Sequence, residues 1–128
     1  MAYVLGIEIS RDSLAYGFTD MNSMPSEVSH MSCDTSNLSV VSDLLMRLIN
    51  EVLSSNKSKK FIGVGIAIAG IINIEQARVI RSVNLGAQWN GYALLKELKD
   101  RGLLLPVFMD NNSNVAVLAE RMFDLGTE

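Results

Sequence analysis

One cysteine, Cys33, and one histidine, His30, stand in a chain of 128 residues. A single thiol cannot build a disulfide framework or a cysteine-only zinc site. His30 and Cys33 are close in sequence, but a zinc site needs four ligands and no CxxC is present. They read as an edge-strand histidine and an ordinary small thiol. With one histidine, no Ser-His-Asp or Cys-His arrangement can be assembled. A basic excess is missing as well: 11 Lys and Arg against 14 Asp and Glu leave a charge of −3. The electrostatic footprint of a nucleic-acid-binding segment is therefore absent. The longest apolar run, residues 61–72, is too short to span a bilayer and is interrupted by Gly63, Gly65 and Gly70. The opening MAYVLGIEIS lacks the basic stretch of a signal peptide. A reduced, cytoplasmic setting with no membrane partner is the expectation.

What is present suits a folded domain: 48% hydrophobic and 20% charged residues are enough for a core without metal or disulfide. Residues 3–9 (YVLGIEI) read as a buried strand. Residues 12–20 alternate, with Leu14, Tyr16 and Phe18 on one face, so a second strand follows a tight Ser10-Arg11-Asp12 turn. Residues 27–31 complete a meander as an edge strand. Leu38, Val41, Leu45, Leu48 and Val52 form the apolar stripe of a helix capped by Ser36 or Asn37. Lys57, Lys59 and Lys60 beyond it form a solvated basic tail. Residues 61–69 (FIGVGIAIA) suit a central parallel strand, with Gly63 and Gly65 marking close packing. A hairpin over 71–82 turning near Glu75-Gln76, a helix over 92–100 stopped at Gly102, a strand at 107–109 and a helix over 112–123 complete the order. The last helix presents Val115, Leu118, Ala119 and Met122 inward. The fold class is α/β: a mixed five-stranded sheet, three strands antiparallel and two parallel, with helices packed on it.

Open sheets of this kind bind ligands beyond the carboxyl ends of their strands. Three loops lie there: Glu8 to Asp12, Ala69-Gly70-Ile71, and Asp110-Asn111-Asn112-Ser113-Asn114. The third carries five polar residues, more than one helix cap requires. Capping and ligand contact are both open for it, since Asn side chains donate and accept and so can read hydroxyls. The first loop has no glycine to admit a phosphate, so it reads as a hairpin turn with Arg11 a solvated charge. Trp89 reads as a packing anchor or as a stacking surface for a sugar. The seven methionines read as gap-fillers.

The stretch 61–126, and above all the block DNNSNVAVLAE, resembles the first lobe of the ROK family of repressors, open reading frames and sugar kinases. The opening VLGIEISRDSLAYGFTDMNSM is similar to that lobe's first hairpin, most nearly in the xylose-repressor branch. The resemblance implies the actin-like, ribonuclease-H-like fold. Kinases of the family carry Asp-x-Gly-x-Thr after the first strand; here those places read Glu8, Ser10 and Asp12. They also carry Glu-Asn-Asp-Ala-Asn after the last strand, whose Asp is the general base. Asn112 stands there, and a neutral amide cannot take the proton, which forfeits a factor of about 100 to 10,000. The resemblance thus implies sugar recognition without kinase activity and with no catalytic residue. The sugar-binding positions it implies are Gly70, Asn84, Asn111 and Asn112; Val83 departs from a threonine found in some kinases.

Residues 1–128 are accordingly expected to form one lobe, with the helix-turn-helix and the second lobe of the family missing and the end after Leu125-Gly126 falling at the lobe boundary. This lobe would need no cofactor and bind no metal; zinc would belong to the second lobe. The expected partners are a small sugar effector and further copies of the chain, met through the apolar face that a second lobe would cover. DNA would be reached only through the missing domain. The leading expectation is the effector-binding lobe of a repressor. The alternatives are a lobe of a divergent ATP-dependent sugar kinase and a ligand-free dimerisation lobe.

Overall fold

A computed structural model describes residues 2–20, 26–68, 70–73, 78–82 and 85–111. The first strand, β1 (Ala2–Ser10), has buried residues on both faces and a neighbouring strand on each side. It runs antiparallel to β2 (Ser13–Thr19), which in turn pairs with the edge strand β3 (Ser29–Ser32). A helix, α1 (Leu38–Ser55), crosses to β4 (Lys60–Ile68), which lies parallel to β1. A small hairpin of β5 (Ile71–Asn73) and β6 (Arg78–Arg81) follows, then α2 (Leu94–Asp100) and β7 (Val107–Asp110). β7 pairs parallel to β4, so the main sheet among the described residues runs β3-β2-β1-β4-β7. A meander of three antiparallel strands with two parallel strands added matches the expected sheet. The Glu75-Gln76 turn and the 112–123 helix fall outside the described residues.

The period-2 pattern of the strands divides the core. Leu5, Ile7 and Ile9 of β1, Ile66 and Ile68 of β4 and Met109 of β7 face the two helices, where Val41, Leu45, Leu48, Ile49, Leu94 and Leu98 meet them. Val4, Ala67 and Phe108, one position out of phase, form a smaller cluster on the opposite face. The expected face of β2 holds: Leu14 is buried, and Tyr16 and Phe18 pack half-buried on the main cluster. Gly63 and Gly65 are both buried in β4.

Three local expectations are corrected. Asp12 belongs to the turn and not to β2, since Ser10 pairs with Ser13 and Asp12 takes a φ of 62°. α2 begins at Leu94 and not at residue 92, because β6 holds the residues before it: the Tyr92 carbonyl accepts the Val79 N–H at 3.0 Å, and the Gly91 N–H donates to the Val79 carbonyl at 2.7 Å. Lys59 is not a free tail. Its ammonium lies 5.7 Å from the ring centroids of both Tyr3 and Phe18; Phe18 packs edge-on with Tyr3 and with Phe61.

Of the two cap candidates for α1, Asn37 does the capping, its Oδ1 accepting the Val40 N–H at 3.2 Å. Ser36 instead gives its N–H and its hydroxyl to Asp34. On the buried side of the helix, the Ser42 hydroxyl meets the Tyr92 phenol at 2.6 Å and ties α1 to the start of α2. Replacing Asn37 by Ala leaves that first-turn N–H without its side-chain acceptor. The expected outcome is a loss of about 1 kcal/mol of stability, seen as a lower urea midpoint at unchanged slope.

Candidate functional site at the carboxyl edge of the sheet

β1, β4 and β7 point the same way, so the loops after them open on one edge. In register, Glu8 stands beside Ala67 and Ala67 beside Asp110. Residues paired this way project from the same face of the sheet. Two carboxylates therefore flank a small residue, on strands two spacings or about 10 Å apart. Asp110 is only 4% exposed, whereas Glu8 is half-buried and accepts the Ser10 hydroxyl at 3.0 Å. From the sequence, Asp110 reads as a cap, turn or ligand-contact residue. Its place in the Glu8 row depends on strand register, which local sequence does not express.

Gly70 turns the chain from β4 into the small hairpin. Its φ is 146°, and a Cβ there would run into the Arg81 carbonyl and press on Ser82 at 3.1 Å. Asn111 follows β7 and is exposed. Gly70 and Asn111 thus sit at the ends of neighbouring parallel strands, on the same edge. Asn84 and Asn112 lie outside the described residues.

The β1–β2 turn is closed from below. The Asp12 N–H donates to the Thr35 hydroxyl at 2.9 Å, and the Asp12 carbonyl accepts the Cys33 N–H at 3.2 Å. A polar cleft of about 250 Å³ lies between this turn, Asp34 to Ser36, and Leu85-Gly86. Trp89 does not face it. The indole is fully buried, donates to the Thr35 carbonyl at 2.7 Å and packs edge-on against Tyr92. The packing reading of Trp89 holds and the stacking reading falls, because no face of the ring is open.

The model of the ROK family matches residues 4–128. The chain belongs to the ROK family. Over 123 residues it is 22% identical to a xylose repressor of Bacillus spizizenii, covering 94% of this chain and 31% of that protein. A glucokinase of Halalkalibacterium halodurans is 35% identical over 66 residues, which is 51% of this chain and 19% of the enzyme. Among solved structures, a ROK family transcriptional regulator, a homologue of the E. coli MLC protein, aligns with a TM-score of 0.74 at 20% identity. That alignment covers 95% of this chain and 31% of the other. This ROK chain therefore spans under a third of the length of the two curated relatives, one a repressor and one a kinase. Its sheet is the actin-like lobe of the family. None of its described helices is long and apolar enough to cross a membrane.

Electrostatics around the turn of the ROK lobe are acidic. Hydrogen bonds from Ser36 hold the Asp34 carboxyl below its usual range. Burial, then the nearby Asp34 and Asp12 charges, push the Cys33 thiol up. A raised thiol pKa means less thiolate at neutral pH, and the thiolate is the reactive form. Alkylation of Cys33 by iodoacetamide, followed by peptide mass spectrometry, is expected to run slower than that of a free cysteine at pH 7. Its pH midpoint should lie above that of the free thiol. Gly70→Ala has to adopt an unfavourable φ against a backbone carbonyl. It is expected to cost about 1–3 kcal/mol or more, measured by chemical denaturation.

Proposed function

We propose that this ROK chain is the first lobe of a two-lobed sugar-sensing domain in a transcriptional repressor, and that it transfers no phosphate. The observation that carries this reading is the closed β1–β2 turn. A phosphate cradle needs open backbone N–H groups and little negative charge around them. Here the Asp12 amide is already given to Thr35. Glu8, Asp12 and Asp34 add three carboxylates around the turn, against the single guanidinium of Arg11. A triphosphate would meet repulsion where the family's kinases hold it. Asn112 at the base position removes proton abstraction as well.

Sugar recognition remains within the means of this edge. The backbone at Gly70 and the exposed side chain of Asn111 supply donors and acceptors, and Asn84 and Asn112 extend the set by resemblance. The likeness to a xylose repressor along most of the chain favours a pentose or a related sugar. The sugar would sit between this lobe and a second one, and its binding would bias lobe closure and so the spacing of DNA-binding domains.

The intact protein is the object to test. Isothermal titration with a panel of sugars is expected to give binding to at least one at millimolar concentration or below. An ATP-dependent phosphorylation assay is expected to give no sugar phosphate. Asn111→Ala should weaken sugar binding about tenfold, since it leaves a ligand hydroxyl without its partner. Turnover of a sugar overturns the reading in favour of a kinase. Undiminished binding by Asn111→Ala moves the site elsewhere, and absence of binding to any sugar favours a purely structural lobe.

A further inference from the structure

The segment between β3 and α1 carries none of the proposed ligand contacts, yet the loops of the carboxyl edge meet on it. Thr35 is 2% exposed. A hydroxyl and a carbonyl buried that deeply are costly unless bonded. The hydroxyl oxygen accepts the Asp12 N–H, and the carbonyl accepts the Trp89 indole N–H. Next to it, the Ser36 carbonyl accepts Gln88 Nε2 at 2.9 Å. From Trp89 the bonds continue. Its backbone N–H donates to the Gly86 carbonyl at 3.1 Å, the Gly86 N–H to the Ser82 carbonyl at 3.2 Å, and the Ser82 N–H to Asn90 Oδ1 at 3.3 Å. Ser82 is the residue against which Gly70 packs. One buried threonine therefore links the Arg11-Asp12 turn, the 85–90 segment and the Gly70 corner.

We propose that Thr35 is a positioning residue of the sugar site, fixing the Gly70 corner relative to the β1–β2 turn; this rests on the sugar-sensing reading above. Thr35 acts through its neighbours and contacts no ligand itself. The two halves of the link use different atoms, the hydroxyl toward the turn and the carbonyl toward Trp89, so each half can be cut alone. Thr35→Val keeps the shape and removes the acceptor for Asp12. Thr35→Ser keeps the acceptor. Trp89→Phe removes the indole donor at the other end.

The test is sugar titration of the intact protein and these variants, together with amide hydrogen exchange over residues 10–13 and 82–90 without sugar. Thr35→Val is expected to weaken sugar binding about tenfold and to speed exchange over residues 10–13, with residues 82–90 speeded by Trp89→Phe instead, while Thr35→Ser stays within about twofold of wild type. Combined with Trp89→Phe, Thr35→Val should cost less than the product of the two single losses, because a link cut at one end has little left to lose at the other. Wild-type affinity in Thr35→Val, or losses that simply multiply, overturns the positioning role while leaving the sugar reading intact. A wild-type protein that binds no sugar overturns both. If Thr35→Val does not fold, Thr35→Ala, which removes the same hydroxyl acceptor with a smaller side chain, decides the matter. A loss of about threefold supports the link, and unchanged affinity overturns it.

Discussion

A buried threonine with two engaged polar atoms is the constraint that ties together the loops at the carboxyl edge of this sheet. Apolar packing of α1 and α2 on the sheet is tolerant: side chains of similar volume can exchange with modest cost. A buried hydroxyl and carbonyl are not tolerant, because each needs its partner at hydrogen-bond distance and angle. Thr35 imposes that demand on two segments far apart in the chain, Asp12 and Trp89. The β1–β2 turn is thereby drawn down onto the loop before α1, and the 85–90 segment is drawn in from the other side. The polar cleft between them is what this arrangement leaves open.

The same closure bears on how one lobe serves both repressors and kinases. The sheet order and the edge on which its loops open are set by core packing and strand pairing, neither of which involves ligand chemistry. A few groups at the rim decide what can bind there. An open, glycine-bearing turn offers N–H groups to phosphate. A turn whose amide is bonded to Thr35 and whose neighbours are Glu8, Asp12 and Asp34 does not. The register also sets the carboxyl groups of Glu8 and Asp110 in one row at the same edge. Hydroxyl-rich neutral ligands suit such a rim better than anions, since hydrogen bonding to carboxylates and amides carries no charge repulsion.

Much of this was legible in the sequence, and the boundary of legibility is physical. Hydrophobic periodicity exposed β1, β2, β4 and α1, because each buries a repeating pattern that only its own residues determine. The mixed character of the sheet, a hairpin meander joined to parallel strands, followed from short, handed connections. Local pattern failed wherever a partner lay far along the chain. Residues 92 and 93 look helical, but Val79 holds Tyr92 out of the helix. Lys59 looks like a solvated tail, yet the β1–β2–β4 pairing assembles Tyr3, Phe18 and Phe61 beneath it. Thr35 looks like one more polar loop residue. Its partners are 23 and 54 positions away, so no window around it reveals its role.

The candidate site residues do not weigh equally once the backbone is known. Gly70 matches a glycine that approaches sugar in the family, but its φ and the nearness of the Arg81 carbonyl demand glycine there whatever the ligand. Its presence therefore carries little information about binding. Asn111 is different. It is exposed at the end of a parallel strand, and among the described residues no fold requirement calls for an amide there. An aspartate or a serine would serve a turn there equally well. The choice of a side chain that both donates and accepts is what hydroxyl recognition would select, so the argument for a sugar at this edge rests on Asn111 far more than on Gly70.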